Sequence, residues 1–132
     1  MNDQLPNAIV HIYKEMIGET IEHISGCEKG SYEMFILTNS GIKFRLYHEQ
    51  ECCENVQIED VVGDPMDLVG CKILEAEEVA CGIEDGNELD IFQWTYYKLS
   101  TISSSISIRW LGESNGFYSV RVLSEVTFNN KN

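Results

Sequence analysis

The sequence predicts a mainly β protein, an antiparallel β-sandwich or partly open barrel of about six to seven strands with one or two short helices. Three observations lead there. Apolar and polar residues alternate cleanly at 42–47 and 105–110, the period of a half-buried strand. Runs of β-branched and aromatic residues recur between Gly, Asn, Asp and Ser clusters, the punctuation of strands and turns. Helical signals are confined to two short stretches. At 132 residues the chain is long enough for one domain with its own core.

The elements follow in order. Ile9, Ile12 and Met16 stand at helical spacing with Pro6 near a first turn, although Ile9 and Val10 could equally begin a strand. Residues 1–17 are therefore set apart as an N-terminal extension, 18–128 as a single β-rich domain and 129–132 as a tail. Residues 32–38 and 42–47 flank Asn39-Ser40-Gly41 and form a predicted hairpin. A short strand at 56–61 ends in acids. Asp64 can cap a helical turn beginning at Pro65 and ended by Gly70. A strand at 73–79 leads into a polar loop with two glycines at 81–90. A long aromatic strand spans 91–102, and in 105–110 Ile106, Ile108 and Trp110 oppose Ser105, Ser107 and Arg109. Asn115-Gly116 signals a hairpin into a last strand at 117–128, where Tyr118, Val120, Val122 and Val126 share a face.

Charge narrows the function. Residues 49–90 hold fourteen acids and a single base, Lys72, which accounts for the whole formal charge of −13; the rest of the chain is balanced. Such a field opposes direct binding to a phosphate backbone, which needs Lys and Arg, and suits a basic partner surface. The plainer alternative is a solvated face that maintains solubility. No apolar run approaches the ~20 residues of a membrane span, and the first residues lack the basic start of a secretory signal. A cytoplasmic setting is expected. Five cysteines at 27, 52, 53, 71 and 81, with no CxxC pair, read as reduced thiols there.

Four stretches carry a family resemblance: HEQECCENVQIEDVVGDPMDLVG (48–70), ILEAEEV (73–79), WTYYKLSTI (94–102) and SISIRWLGESNGFYS (105–119). From residue 18 to 127 the chain resembles a small domain family of unknown function common in bacteriophage and bacterial genomes. Residues 1–17 precede that resemblance, and Cys71 and Phe117 depart from it. The resemblance implies a compact β-rich domain of phage type and assigns no reaction.

The segment YHEQECCENVQIED (47–60) concentrates reactive groups. His48, Cys52, Cys53 and Glu54 are competent metal ligands. However, neighbouring cysteines on an extended chain face opposite ways, and His11 and His23 lie in other elements. Glu59, Asp60, Asp64 and Asp67 lack the spacing of a calcium loop. A His48–Cys52 nucleophile is opposed by the surrounding acids, which raise a thiol pKa. A Cys52–Cys53 disulfide is disfavoured, because adjacent Cα atoms sit about 3.8 Å apart, below the ~4.4 Å of usual bridges. The expectation is a turn in which one cysteine packs inward and the acids face water. His48 and Glu54 would then orient the rim of a site.

The candidate site combines those two with arginines and aromatics. Arg45, Arg109 and Arg121 fall on the polar side of their strands, while Trp94, Tyr96, Trp110, Phe117 and Tyr118 gather in the last three. Arginine beside aromatics suits a phosphorylated planar ligand. The predicted ligand set is Arg45, His48, Glu54, Arg109, Trp110, Asn115 and Tyr118, with no catalytic residue, metal or cofactor. Two functions are expected from this. One is a non-enzymatic phage-type accessory protein that sequesters a small phosphorylated or nucleotide host-defence signal. The other is an inhibitor or adaptor whose acidic 49–90 surface mimics nucleic-acid charge toward a basic host protein. The Ile9/Ile12/Met16 stripe is an extra apolar surface for packing against the domain or against a second subunit, which makes a homo-oligomer one expected partner; neither nucleic acid nor membrane is.

Overall fold

The computed structural model describes residues 14–85, 91–114 and 119–128. Eight strands are present: β1 (Ile21–Ser25), β2 (Glu33–Thr38), β3 (Ile42–Tyr47), β4 (Asn55–Val62), β5 (Glu75–Asp85), β6 (Ile91–Ser100), β7 (Ser105–Ser114) and β8 (Leu123–Phe128). They form two four-stranded antiparallel sheets, ordered β1-β2-β3-β8 and β4-β7-β6-β5. The predicted sandwich is the fold.

Period-two alternation builds the core. Met34, Ile36, Phe44 and Leu46 from the first sheet meet Val56, Ile58, Ile106, Ile108 and Trp110 from the second, all buried. The 39–41 turn closes the β2–β3 hairpin as expected. Gly41 has φ +93° there, the left-handed region that glycine enters without a Cβ penalty. Thr38 Oγ1 accepts from the Ile42 amide at 3.1 Å, which ties the turn shut. The turn at Pro65–Leu68 is a 3-10 helix capped by Asp64, which accepts from the Met66 amide at 3.1 Å. Its one buried residue, Leu68, plugs the core.

Three differences from the sequence expectation have physical causes. β1 was not foreseen, because a register shift between Ile21 and His23 breaks its alternation, so its buried residues, Ile21 and Ile24, stand three apart. β5 runs to Asp85, through residues expected to be loop. The register shift between Cys81 and Ile83 makes Gly82 a bulge within the strand, the other use of an isolated strand glycine. β8 pairs with β3 in the opposite sheet and not with β7, so the chain crosses between layers after β7. The Asn115-Gly116 signal lies outside the described residues.

Most of the N-terminal helix signal also lies outside them. Residues 14–16 are helical, and Met16 is buried at 2% exposure within the domain's core, while Ile9 and Ile12 lie outside the described residues. Among the described residues, no helix is long and apolar enough to cross a membrane.

The crossover depends on a close approach at Gly112. A Cβ there would lie 2.6 Å from the Val120 Cβ and 3.0 Å from its carbonyl oxygen. Gly112→Ala is expected to lower stability by about 1 kcal/mol through overpacking, measured by urea denaturation.

Candidate functional site

The turn from β3 to β4 is organised by a buried ion pair. His48 Nε2 lies 2.8 Å from Glu54 Oε2, with side chains only 4% and 0% exposed. His48 Nδ1 lies 2.7 Å from the Arg121 carbonyl oxygen. A carbonyl only accepts, so Nδ1 carries a proton; the ionised Glu54 also accepts, so Nε2 carries one too. The geometry therefore fits an imidazolium bridging Glu54 and the approach to β8.

The same carboxylate folds the loop. It accepts from the amides of Glu51 at 2.7 Å and Cys52 at 3.0 Å, while Gln50 Nε2 donates to the Glu54 carbonyl. Burial opposes the charge, but the hydrogen bonds from His48 and these backbone amides prevail and hold the Glu54 carboxyl down at about 2. Beside this clamp, His48, Tyr32, Gln50, Asn55 and Val56 line an open cavity of about 350 Å³.

Two expectations for this turn are corrected. Glu54 does not face water; it is the buried acceptor at the centre of the turn. Neither cysteine of the pair packs inward: both are exposed, and they are joined as a disulfide with Cα atoms 3.7 Å apart. Adjacent cysteines face apart only on extended chain, and here the amides drawn to Glu54 accompany a bend at Cys52-Cys53. Purified without reductant, the protein is expected to be two hydrogen masses lighter by intact mass spectrometry than after reduction. Elsewhere Cys27 is a part-buried thiol pushed up to about 12, by burial and then by Glu28. Among the described residues, no group of three or more His, Cys, Asp or Glu side chains is arranged to hold a metal ion.

The remaining candidates do not converge. Arg45 sits on the outer face of the first sheet, held by Glu33 at 2.9 Å and Glu125 at 3.1 Å and stacked 3.7 Å over the Tyr47 ring. Arg109 sits on the outer face of the second sheet, bound to Glu59 at 2.8 Å and near Asp60 at 4.0 Å. Trp110 projects the opposite way from its neighbour Arg109, fully into the core, with Nε1 lacking a hydrogen-bond partner. Alternation along β7 dictates this opposition. Asn115 and Tyr118 lie outside the described residues. Among the described members of the predicted set, His48 and Glu54 are the two brought together.

Sequence reasoning passed over Glu78. It points inward from the edge strand β5, beside Tyr97 on β6, whose hydroxyl donates to Oε2 at 3.1 Å. Its Oε1 is buried without a partner. Burial pushes this carboxyl up to about 7, against a smaller opposing pull from Arg121. The signal was available: in EAEEV, Glu78 shares the phase of Ala76 rather than that of Glu75 and Glu77.

Charge divides between the sheets. By sequence the β4, β7, β6 and β5 strands carry seven acids (Glu59, Asp60, Glu75, Glu77, Glu84, Asp85, Glu113) besides the inward-pointing Glu78, against Lys98 and Arg109. The other sheet is nearly balanced, with Glu22, Glu33 and Glu125 against Lys43 and Arg45. One layer of the sandwich thus concentrates the negative field. A family model described as Domain of unknown function (DUF7448) matches residues 14–124. No curated protein and no solved structure matches the chain.

Proposed function

The chain belongs to the DUF7448 family, a domain family of unknown function, and on that premise we propose that it is a non-enzymatic binding module whose acidic β4-β7-β6-β5 sheet engages a basic surface of a partner protein. The observation that carries this reading is the partition of charge: Glu59, Asp60, Glu75, Glu77 and Glu113 are exposed or half-exposed on one sheet against Lys98 and Arg109, while the other sheet is near balance. A concentrated single-sign surface steers an oppositely charged partner and repels like-charged ones. The proposed setting is the cytoplasm, that of the host if a phage encodes the protein.

The small-ligand reading has weaker support. It needs free guanidinium groups to grip a phosphate, and Arg45 and Arg109 are each engaged by two carboxylates on opposite sides of the sandwich. The cavity at His48 is lined by amide, hydroxyl and apolar groups, and the one cation among them faces Glu54. Sequestration of a phosphorylated defence signal would have to use other groups.

The two readings separate in one comparison. Affinity capture from the native host's lysate is expected to retain a basic protein that is lost between about 50 and about 300 mM salt as screening shortens. A nucleotide panel is expected to leave the melting temperature unchanged, because only a ligand of the native state raises it. A nucleotide-dependent rise, with no salt-sensitive partner, would reverse the assignment.

A further inference from the structure

Alternation places Phe92, Trp94 and Tyr96 on the outer, solvent side of β6, because Thr95, Tyr97 and Leu99 are the buried set. The three aromatics are half-buried and follow one another along the strand. Phe92 and Trp94 stack with centroids 6.5 Å apart and planes 26° from parallel. Register extends the row sideways: Val79 pairs with Tyr96 and Trp94 with Leu111. Val79 is 55% exposed. The outer face of this sheet therefore carries an aromatic and apolar strip open to water.

Acids frame the strip. Glu75 and Glu77 stand exposed on β5, Glu113 is exposed on β7 across from Phe92, and Glu59 and Asp60 lie on β4. Two cations share this face: Arg109, already matched by Glu59 and Asp60 and hydrogen-bonded to Tyr96, and exposed Lys98, which stands across from Glu77 at the end of the aromatic row.

We propose that this face docks an extended, arginine-bearing segment of a partner protein, with the Phe92–Trp94–Tyr96 row receiving guanidinium groups and the flanking carboxylates pairing with them. The proposal rests on the acidic-sheet reading above and names what that sheet recognises. Aromatic faces attract cations through their quadrupole, Trp most strongly, and the planar guanidinium also stacks on them. Carboxylates at the rim add charge-assisted hydrogen bonds. Charge excludes the other occupants. A second copy would set Glu75, Glu77 and Glu113 against like charges, and nucleic acid or an anionic membrane would be repelled. An uncharged apolar segment would cover the strip while desolvating the flanking carboxylates without supplying a counter-charge.

The test uses the full chain and labelled octa-arginine, octa-lysine and octa-glutamate peptides in a fluorescence-anisotropy titration. Octa-arginine is expected to bind more tightly than octa-lysine, with no binding of octa-glutamate. Trp94→Leu keeps an apolar side chain but removes the π face; it is expected to weaken octa-arginine about threefold to fivefold and narrow its lead over octa-lysine. Native emission from the buried Trp110 checks that the variant is folded, and Phe92→Leu serves if it is not. Glu75→Lys/Glu77→Lys is expected to weaken both cationic peptides. Loss on charge reversal with no change in either aromatic variant would overturn the aromatic platform and leave the acidic-sheet reading standing. Failure of both cationic peptides to bind would overturn both.

Discussion

Replacing His48 with alanine is expected to lower the melting temperature at pH 7 by ~10 °C, among the largest effects of any single change outside the core. The substitution strips Glu54, whose side chain is wholly buried, of the imidazole that faces its carboxylate at 2.8 Å. It also removes the link to the Arg121 carbonyl that fastens the β3–β4 turn to the start of β8. The same pair sets the acid limb of stability. Glu54 is held at about 2 in the fold, against 4.5 as its ordinary value. A depressed carboxyl contributes fully above its unfolded pKa, and that contribution fades as pH falls from about 4.5 toward about 2. Glu54→Gln is expected to flatten this limb in urea titrations, and removing both partners to cost less than the two single changes added together.

Glu78 acts in the opposite sense and is the second large effect. Its carboxyl is raised to about 7 from 4.5, so between those values the folded chain holds a proton that the unfolded chain has released. Stability is complete below about 4.5, falls as pH rises through about 7, and is then level. The group is only partly buried, so solvent screening trims the full value of that shift; about 2 kcal/mol is the expected loss between pH 5 and pH 8. Glu78→Gln keeps the shape, can still accept from Tyr97, and is expected to remove that loss, making the variant more stable than the parent at pH 8. With Glu54 failing below 4.5 and Glu78 above it, the parent is expected to be most stable near pH 5. The surplus of acids sharpens the alkaline decline by self-repulsion.

Legibility in the sequence tracked regularity. β7 was plain because Ile106, Ile108 and Trp110 alternate with Ser105, Ser107 and Arg109 without interruption, and the structure buries the first set. β1 and the far half of β5 were hidden by bulges, at Ile21/His23 and Cys81/Ile83, which break the period that reveals a strand. His48 and Glu54 were singled out by residue type, but the burial of Glu54 was not foreseen. It depends on His48, whose ring is held by a carbonyl seventy-three residues further along the chain, and on two local amides turned toward the carboxylate, neither of which spacing carries. Arg45 and Arg109 looked free because their partners, Glu33, Glu125, Glu59 and Asp60, come from other strands through the register.

In the sequence the outer row of β6 stands out only as aromatic density, no different in kind from Trp110, which faces the core. Only the pairing of β5, β6 and β7 shows which aromatics share a side with the acids. That arrangement turns a general excess of charge into a defined surface.

The central claim is that one sheet of this sandwich is the binding surface. The most direct measurement is equilibrium binding of the captured basic partner to two variants matched in charge, Glu75→Lys/Glu77→Lys on the acidic sheet and Glu22→Lys/Glu125→Lys on the other. The account predicts at least tenfold weaker binding and a shallower salt dependence for the first, with little change for the second. Equal loss in both variants, or none in the first, would contradict it.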